Sequence, residues 1–426
     1  MATPSSSPEP RWRAVARGAG LVDADGGLRR TVFAEMSDLA GRTGALNLGQ
    51  GFPDVDGPAH VARAAERAIR EGRNQYAPGS GAPELRRAVA AHARRHYGLE
   101  VDPADEVLVT TGATEAIAAA ILALVGPDDE VVVLEPYYDS YAGAVAMAGA
   151  RLVPVGLRPG PEGFRLDGPA LERAVTSRTR MILLNSPHNP TGAVLDEDEL
   201  VVVADVARAH DLLVVTDEVY EHLTFDGVRH VPVATLPGMA ERTLRISSAG
   251  KSLSFTGWKV GWLTGPADLV AAVRTVQQYL TYTSGAPFQP AVAEALADED
   301  GRVARHLAEL ADGLARRRDL LCAGLERLGL GVVVPRGTYF VVTDAAPLGL
   351  HDGVALCRRM PEELGVAAVP VAAFCADGSP TARALRSHVR LTFVKRAEVL
   401  EEALVRLEGL AGLAGEAGPT DGRVIN

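Results

Sequence analysis

Lysine is almost missing from this chain. Of 43 basic residues only Lys251, Lys259 and Lys395 are lysine, and every other one is arginine. Cysteine is nearly as scarce: Cys322, Cys357 and Cys375 are scattered, odd in number and form no CxxC pair, so they read as small core residues in a reducing compartment. No apolar run reaches the roughly 18 residues of a membrane span, and the start "MATPSSSPEPRWR" carries no apolar leader core. A cytoplasmic chain without a membrane is therefore expected. Positive charge is also lacking, with a formal net charge of −11. That leaves no basic stripe to release counterions, so nucleic acid is not an expected partner. The GxG-like run "PGSGAPELR" follows a helical stretch and lacks a third glycine, which rejects a dinucleotide fingerprint.

What is present suits a large globular enzyme. The 426 residues suggest two or three domains, and 47% hydrophobic residues can fill their cores. Short apolar runs alternate with helical patterns, the signature of a mainly parallel α/β sheet. "DEVLVT", "EVVVLE", "RMILLN", "LLVVTD" and "LRISS" read as strands, and each ends in polar or Gly-containing sequence. Open α/β sheets bind ligands beyond the carboxyl ends of their strands, so one cleft can gather these five ends. From about residue 305 onward, Arg/Leu/Glu-rich helices and the strands "GTYFVVTD" and "HVRLTFVK" suggest a second, smaller domain.

The lysines pose the sharpest question. Two of the three fall in "SSAGKSLSFTGWKVGW" (247–262). Lysine differs from arginine in that its amine can lose a proton and attack a carbonyl, so a chain that writes Arg elsewhere keeps Lys251 where a Schiff base is needed. Asp217, at the end of "VVTD", is a helix cap or a buried partner for a cationic ligand. A lysine for an aldehyde and an anion for a pyridinium nitrogen are the two requirements of pyridoxal phosphate. In "TTGATEA", Gly112, Ala113 and Thr114 open a helix after a strand, where free N–H groups and the helix dipole form a phosphate site. Asn189 in "SPHNPTG" sits at a strand end in position to donate to a ring oxygen. His188 beside it reads as a packed neighbour. His92 and His96 in "HARRH" have metal-pair spacing without the glutamate of a zinc protease, and read as a solvated basic face; no metal is expected. Arg390 lies in an alternating strand and suits a bidentate clamp on a substrate carboxylate once the other parts are in place.

Taken together, "NLGQGFPD" (47–54), "NQYAPGSGAPELR" (74–86), "NSPHNPTGAV" (185–194), "TDEVYEHL" (216–223), the double-lysine segment and "VRLTFVK" (389–395) resemble the class I aminotransferases, pyridoxal-phosphate enzymes of fold type I. Within that class the chain looks most like the branch holding kynurenine and methionine aminotransferases. It is most similar to actinobacterial N-succinyldiaminopimelate aminotransferases, through "TVFAEMS", "YDSYAGAVAMAGA" and "GAPFQPAVA". The resemblance implies a large α/β cofactor domain (61–300), mainly parallel in its sheet, and a smaller α+β domain (301–412). It also implies a segment 28–60 packed with the smaller domain, a flexible arm (1–27) and a flexible tail (413–426).

The resemblance also assigns roles. Lys251 would bind the cofactor aldehyde and shuttle the Cα proton, and Asp217 would pair with the pyridinium nitrogen. Tyr220 and Asn189, with Asn185 nearby, would hold the ring oxygen, and Tyr138 would stack on the ring. Gly112, Ala113, Thr114, Ser248 and Lys259 would hold the phosphate. Tyr76 would reach the phosphate of a neighbouring subunit, which implies a homodimer with shared sites. Arg390 and Gly51 would bind the substrate α-carboxylate. Phe33 stands where kynurenine enzymes carry tryptophan, and Tyr282 with Thr283 where they carry histidine, so a dedicated kynurenine enzyme is disfavoured. The implied reaction is a ping-pong transfer between an L-amino acid and a 2-oxo acid. N-succinyl-LL-2,6-diaminopimelate with glutamate/2-oxoglutarate is the favoured pair. A broad methionine, glutamine or aromatic aminotransferase and a cysteine-conjugate β-lyase are the alternatives.

Overall fold

A computed structural model describes residues 9–23 and 25–414. Its centre is a seven-stranded sheet of β1 (Val107–Thr111), β2 (Glu130–Glu135), β3 (Arg151–Gly156), β4 (Thr179–Asn185), β5 (Leu213–Asp217), β6 (Thr243–Ser248) and β7 (Val260–Thr264). The spatial order is β1-β7-β6-β5-β4-β2-β3. All neighbours run parallel except β7, which pairs antiparallel with both β1 and β6. Helices cover both faces, so the central strands are apolar on both sides and show no alternation; all of β2 is buried. The Ala-rich helix Gly112–Leu124 packs against β7 because small residues permit a close approach of helix to sheet.

The acidic run "DEDEL" opens the helix Glu197–Ala209 with a capping box. Asp196 accepts from the Glu199 N–H while the Glu199 side chain accepts from the Asp196 N–H.

A second sheet, entirely antiparallel, is formed by β8 (Gly331–Val333), β9 (Phe340–Asp344), β10 (Val369–Pro370) and β11 (His388–Thr392), in the order β8-β9-β11-β10. The 26-residue amphipathic helix Arg302–Arg327 packs beneath it. The amino-terminal segment returns to this part of the chain, with Leu46–Asn47 pairing parallel to Val366–Ala367. Arg390 occupies the middle of β11, opposite Val342 on one side and Val369 on the other.

The segment expected as a loose arm is helical over Arg11–Gly18. Arg11 donates to the Met147 carbonyl at 3.0 Å, and Gly18 packs against Ala146 of the helix Ser140–Ala148. Docking between segments so far apart leaves no local sequence signal. At the other end a short 3₁₀ segment (Glu408–Ala414) buries its own Leu410 and Leu413. Residues 1–8 and 415–426, which carry the rest of the expected arm and tail, lie outside the described residues.

Candidate active site

The carboxyl ends of β1, β4, β5 and β6 and the segment after β2 converge on one cavity of about 450 Å³. Its floor is set by strand register. Asn185 and Asp217 are partners across β4 and β5, and the Asn185 amide donates to the Asp217 carbonyl at 2.8 Å. The Asn185 Oδ1 in turn accepts from the Asn189 backbone N–H at 2.7 Å.

Asp217 is buried, and desolvation raises its carboxyl from 3.8 to about 6. The Tyr141 hydroxyl opposes that rise by donating to Asp217 Oδ2 at 2.7 Å. A buried carboxylate with one such donor is a seat for a protonated ring nitrogen.

Opposite it, Lys251 projects from the turn after β6. Its ammonium stands 5.7 Å from the ring centroids of both Tyr220 and Tyr339. Tyr220 is fully enclosed, and burial pushes its phenol well above 10, so it acts as a neutral donor.

The third corner is cationic. The helix Gly112–Leu124 begins at the cavity wall, where Gly112 adopts φ +75°. A Cβ there would lie 3.3 Å from both Cε and Nζ of Lys259, so backbone conformation and close approach both require glycine. Lys259 itself takes a left-handed conformation, φ 54°, a strain of about 1–3 kcal/mol that turns its side chain onto the helix start. Free N–H groups at residues 112–114, the Lys259 ammonium and the Ser248 hydroxyl make a site for a dianion.

At the far side Arg390 is 2% exposed. Its Nη1 donates to Asn189 Oδ1 at 2.8 Å and its Nη2 to the Gly49 carbonyl at 2.6 Å. The rings of Phe340 and Phe374 lie 3.9 and 4.6 Å from the guanidinium carbon, and that of Phe33 5.5 Å away. It forms no ion pair among the described residues, its buried Nε is unpartnered, and desolvation lowers it from 12.5 to about 10. An unpaired buried cation is costly unless an anion completes it. Gly51 lines the same wall, with its carbonyl accepting from the Tyr339 hydroxyl.

Every site residue expected from the sequence lines this cavity except Tyr76 and Tyr282. Those two pack edge to face with each other at 5.8 Å; Tyr76 is 84% exposed. Sequence reasoning missed Tyr141, Phe340, Gln50 and Thr31, which also line it. Tyr141 lies one helical turn from Tyr138 in "YDSY", a spacing that can place two rings in one site; the others have no local signal.

The histidine reading needs correction. His92 is buried rather than solvated, and its Nε2 lies 2.8 Å from His222 Nε2. Burial lowers His92 to about 3 and His96 to about 4. The helix turns one side of "HARRH" inward, against the turn after β5. His188 is packed as expected, against Thr191 Oγ1 at 2.7 Å.

Comparison with known proteins gives a consistent result. The family model "Aminotransferase class I and II" matches residues 43–407. A probable N-succinyldiaminopimelate aminotransferase of Mycobacterium tuberculosis is 56% identical over 385 residues, covering 89% of this chain and 96% of the relative. The methionine aminotransferase of Escherichia coli is 39% identical, covering 90% and 96%. Among solved structures, an N-succinyldiaminopimelate aminotransferase from M. tuberculosis superposes with a TM-score of 0.87 at 53% identity, covering 95% of this chain and all of that one. The aspartate aminotransferase of Thermus thermophilus (a double mutant) superposes at 0.81 with 38% identity, covering 88% and 94%.

Pyridoxal phosphate fits the residues present. The glycine-dependent cradle at Gly112 could take its phosphate, the buried Asp217 carboxyl its ring nitrogen, and the Lys251 amine its aldehyde. The chain belongs to the class I and II aminotransferase family, and it is a pyridoxal-phosphate-dependent aminotransferase of fold type I.

Proposed function

We propose that this aminotransferase moves an amino group between N-succinyl-LL-2,6-diaminopimelate and 2-oxoglutarate, with glutamate as the second amino acid. The observation that carries an amino- and oxo-acid substrate is Arg390, a buried guanidinium that forms no ion pair among the described residues, in the cavity that holds Lys251 and Asp217. The succinylated substrate is supported by the 56% identity to the mycobacterial relative of that name.

Arg390 receives the substrate α-carboxylate on its free edge, while Asn189 and the Gly49 carbonyl hold the guanidinium in plane. That anchoring fixes the Cα–H bond toward Lys251, a contribution of orientation rather than of new chemistry. With the cofactor held there, the Lys251 amine would be the base that takes the substrate Cα proton and the acid that later gives it back. Pyridoxal phosphate, when bound, supplies the electron sink for the pair that the broken Cα–H bond leaves behind. Asp217 would hold the ring nitrogen in its protonated form, and the Tyr141 hydroxyl favours the Asp217 anion by donating to it. Tyr220 and the Asn189 amide, which line the cavity, would donate to the ring oxygen, and Tyr138 would supply the aromatic surface for the ring. Phe33, Phe52, Gln50 and Thr31 also line the cavity and offer apolar and neutral polar surface to the methylene chain and amide of the substrate side chain.

Tyr76, exposed beside Tyr282, is assigned to the phosphate of a neighbouring subunit in a homodimer. Mixing inactive Lys251→Ala and Tyr76→Phe chains tests it; hybrid dimers that recover activity support shared sites.

The substrate is tested by half-reactions. Single amino donors are mixed with the yellow enzyme without acceptor, and conversion to the pyridoxamine form is followed. Rapid conversion with glutamate and N-succinyl-LL-diaminopimelate alone supports the proposal. Equal conversion by methionine, glutamine, kynurenine and phenylalanine replaces it with a broad-range enzyme; the E. coli relative is a methionine aminotransferase.

A further inference from the structure

His92 and His96 stand one turn apart on the helix Pro83–Tyr97, and the turn after β5 carries His222 to them. One ring nitrogen from each falls within 4.8 Å of the others. The ring centroids are 4.4 Å apart for His92–His96, 5.0 Å for His92–His222 and 4.9 Å for His96–His222. Tetrahedral zinc binds imidazole nitrogens at about 2.0–2.1 Å, which sets its ligand atoms roughly 3.3 Å from one another. The 2.8 Å between His92 Nε2 and His222 Nε2 needs to open only slightly, with His96 drawn inward by side-chain rotation.

The surroundings suit a cation. A cavity of about 30 Å³, room enough for a water or small ion, adjoins the three rings. Glu221 precedes His222 in the chain; its carboxylate accepts from Tyr97 at 2.6 Å and from Ser247 at 2.5 Å. Arg245, the guanidinium behind it, is shared with Glu218 at 2.7 Å and lies 3.7 Å from Glu221, so two carboxylates face one cation there. On the solvent side Arg95 makes a long 3.5 Å contact to His96 Nε2. It can release that contact while keeping its bonds to the Leu296 and Ala297 carbonyls.

We propose that His92, His96 and His222 form a binding site for a borderline divalent cation, zinc above all, with water completing the shell at the exposed His96 side. The site stands behind the wall of the active-site cavity. His222 shares its turn with Tyr220 and Asp217, so the cation braces that turn against the helix Pro83–Tyr97 and takes no part in the chemistry.

The test uses tag-free holoenzyme, stripped with chelator and titrated with Co²⁺ and then Zn²⁺. The expected result is one Co²⁺ per chain, with the visible absorption of a four-coordinate ion, displaced by Zn²⁺. His96→Ala removes an exposed ligand without disturbing the core and is expected to weaken binding by about tenfold or more. His222→Gln should act in the same direction. A wild-type chain that gives no stoichiometric signal, or a His96→Ala chain that binds as tightly as wild type, overturns the proposal. In that case His92 and His222 form only a neutral hydrogen-bonded pair.

Discussion

The Tyr141 hydroxyl donates to Asp217 Oδ2 at 2.7 Å, and both side chains line the cavity. It is the one side-chain donor that Asp217 receives among the described residues, and it offsets the desolvation that raises the carboxyl. Tyr141→Phe should therefore push Asp217 further up and weaken its hold on the ring nitrogen. The acid limb of the kcat profile is expected to move to higher pH, with KM for the amino donor little changed. An unshifted profile would show that the hydroxyl does not set the charge on Asp217.

Asp217 also predicts how the cofactor-free protein responds to pH. Its folded value of about 6 lies above the ordinary 3.8, so folding binds this proton more tightly than the unfolded chain does. The resulting stability is full below the ordinary value and is lost as pH rises through about 6. The rise corresponds to roughly 3 kcal/mol. Apo wild type should lose about that much relative to apo Asp217→Asn between those limits, measured by urea unfolding. A constant difference across the range would contradict the burial argument.

Arg390→Lys keeps the charge but loses the planar fork. The loss of paired contact predicts a fall in kcat/KM of about 10²- to 10³-fold, or roughly 3–4 kcal/mol. Steady-state kinetics with glutamate would check it. A variant within a few-fold of wild type would mean that the α-carboxylate is bound elsewhere.

Gly112→Ala and Lys259→Ala test the phosphate cradle separately from the chemistry. Alanine at 112 must adopt φ near +75° and crowd Lys259 at 3.3 Å. Each change should raise the cofactor dissociation constant about 10- to 100-fold, as expected for losing a charge-assisted contact. Saturating cofactor should restore most of the turnover. Unchanged retention of cofactor on dialysis would move the phosphate away from this corner.

Most of this site was legible because its residues are unusual where they stand. A lysine in an arginine-rich chain, an aspartate ending an apolar strand and a Gly-Ala-Thr helix start all point to chemistry locally, and α/β topology supplies the shared cleft. Other features depend on three-dimensional packing. The antiparallel direction of β7 follows from a short return after Trp258 that no periodicity announces. Phe340 over Arg390 and His222 beside His92 are contacts between remote segments. The arginine itself alternates in its strand like any outward residue, and only the fold reveals that it is buried.

The central claim is that Lys251, not Lys259 or Lys395, is the amine that carries the cofactor. With three lysines in the whole chain, borohydride reduction of the yellow enzyme followed by peptide mapping gives an unambiguous answer. The label is expected on Lys251 alone, and Lys251→Ala should abolish it together with the yellow colour. Label on Lys259 or Lys395, or an undiminished adduct in Lys251→Ala, would contradict the account.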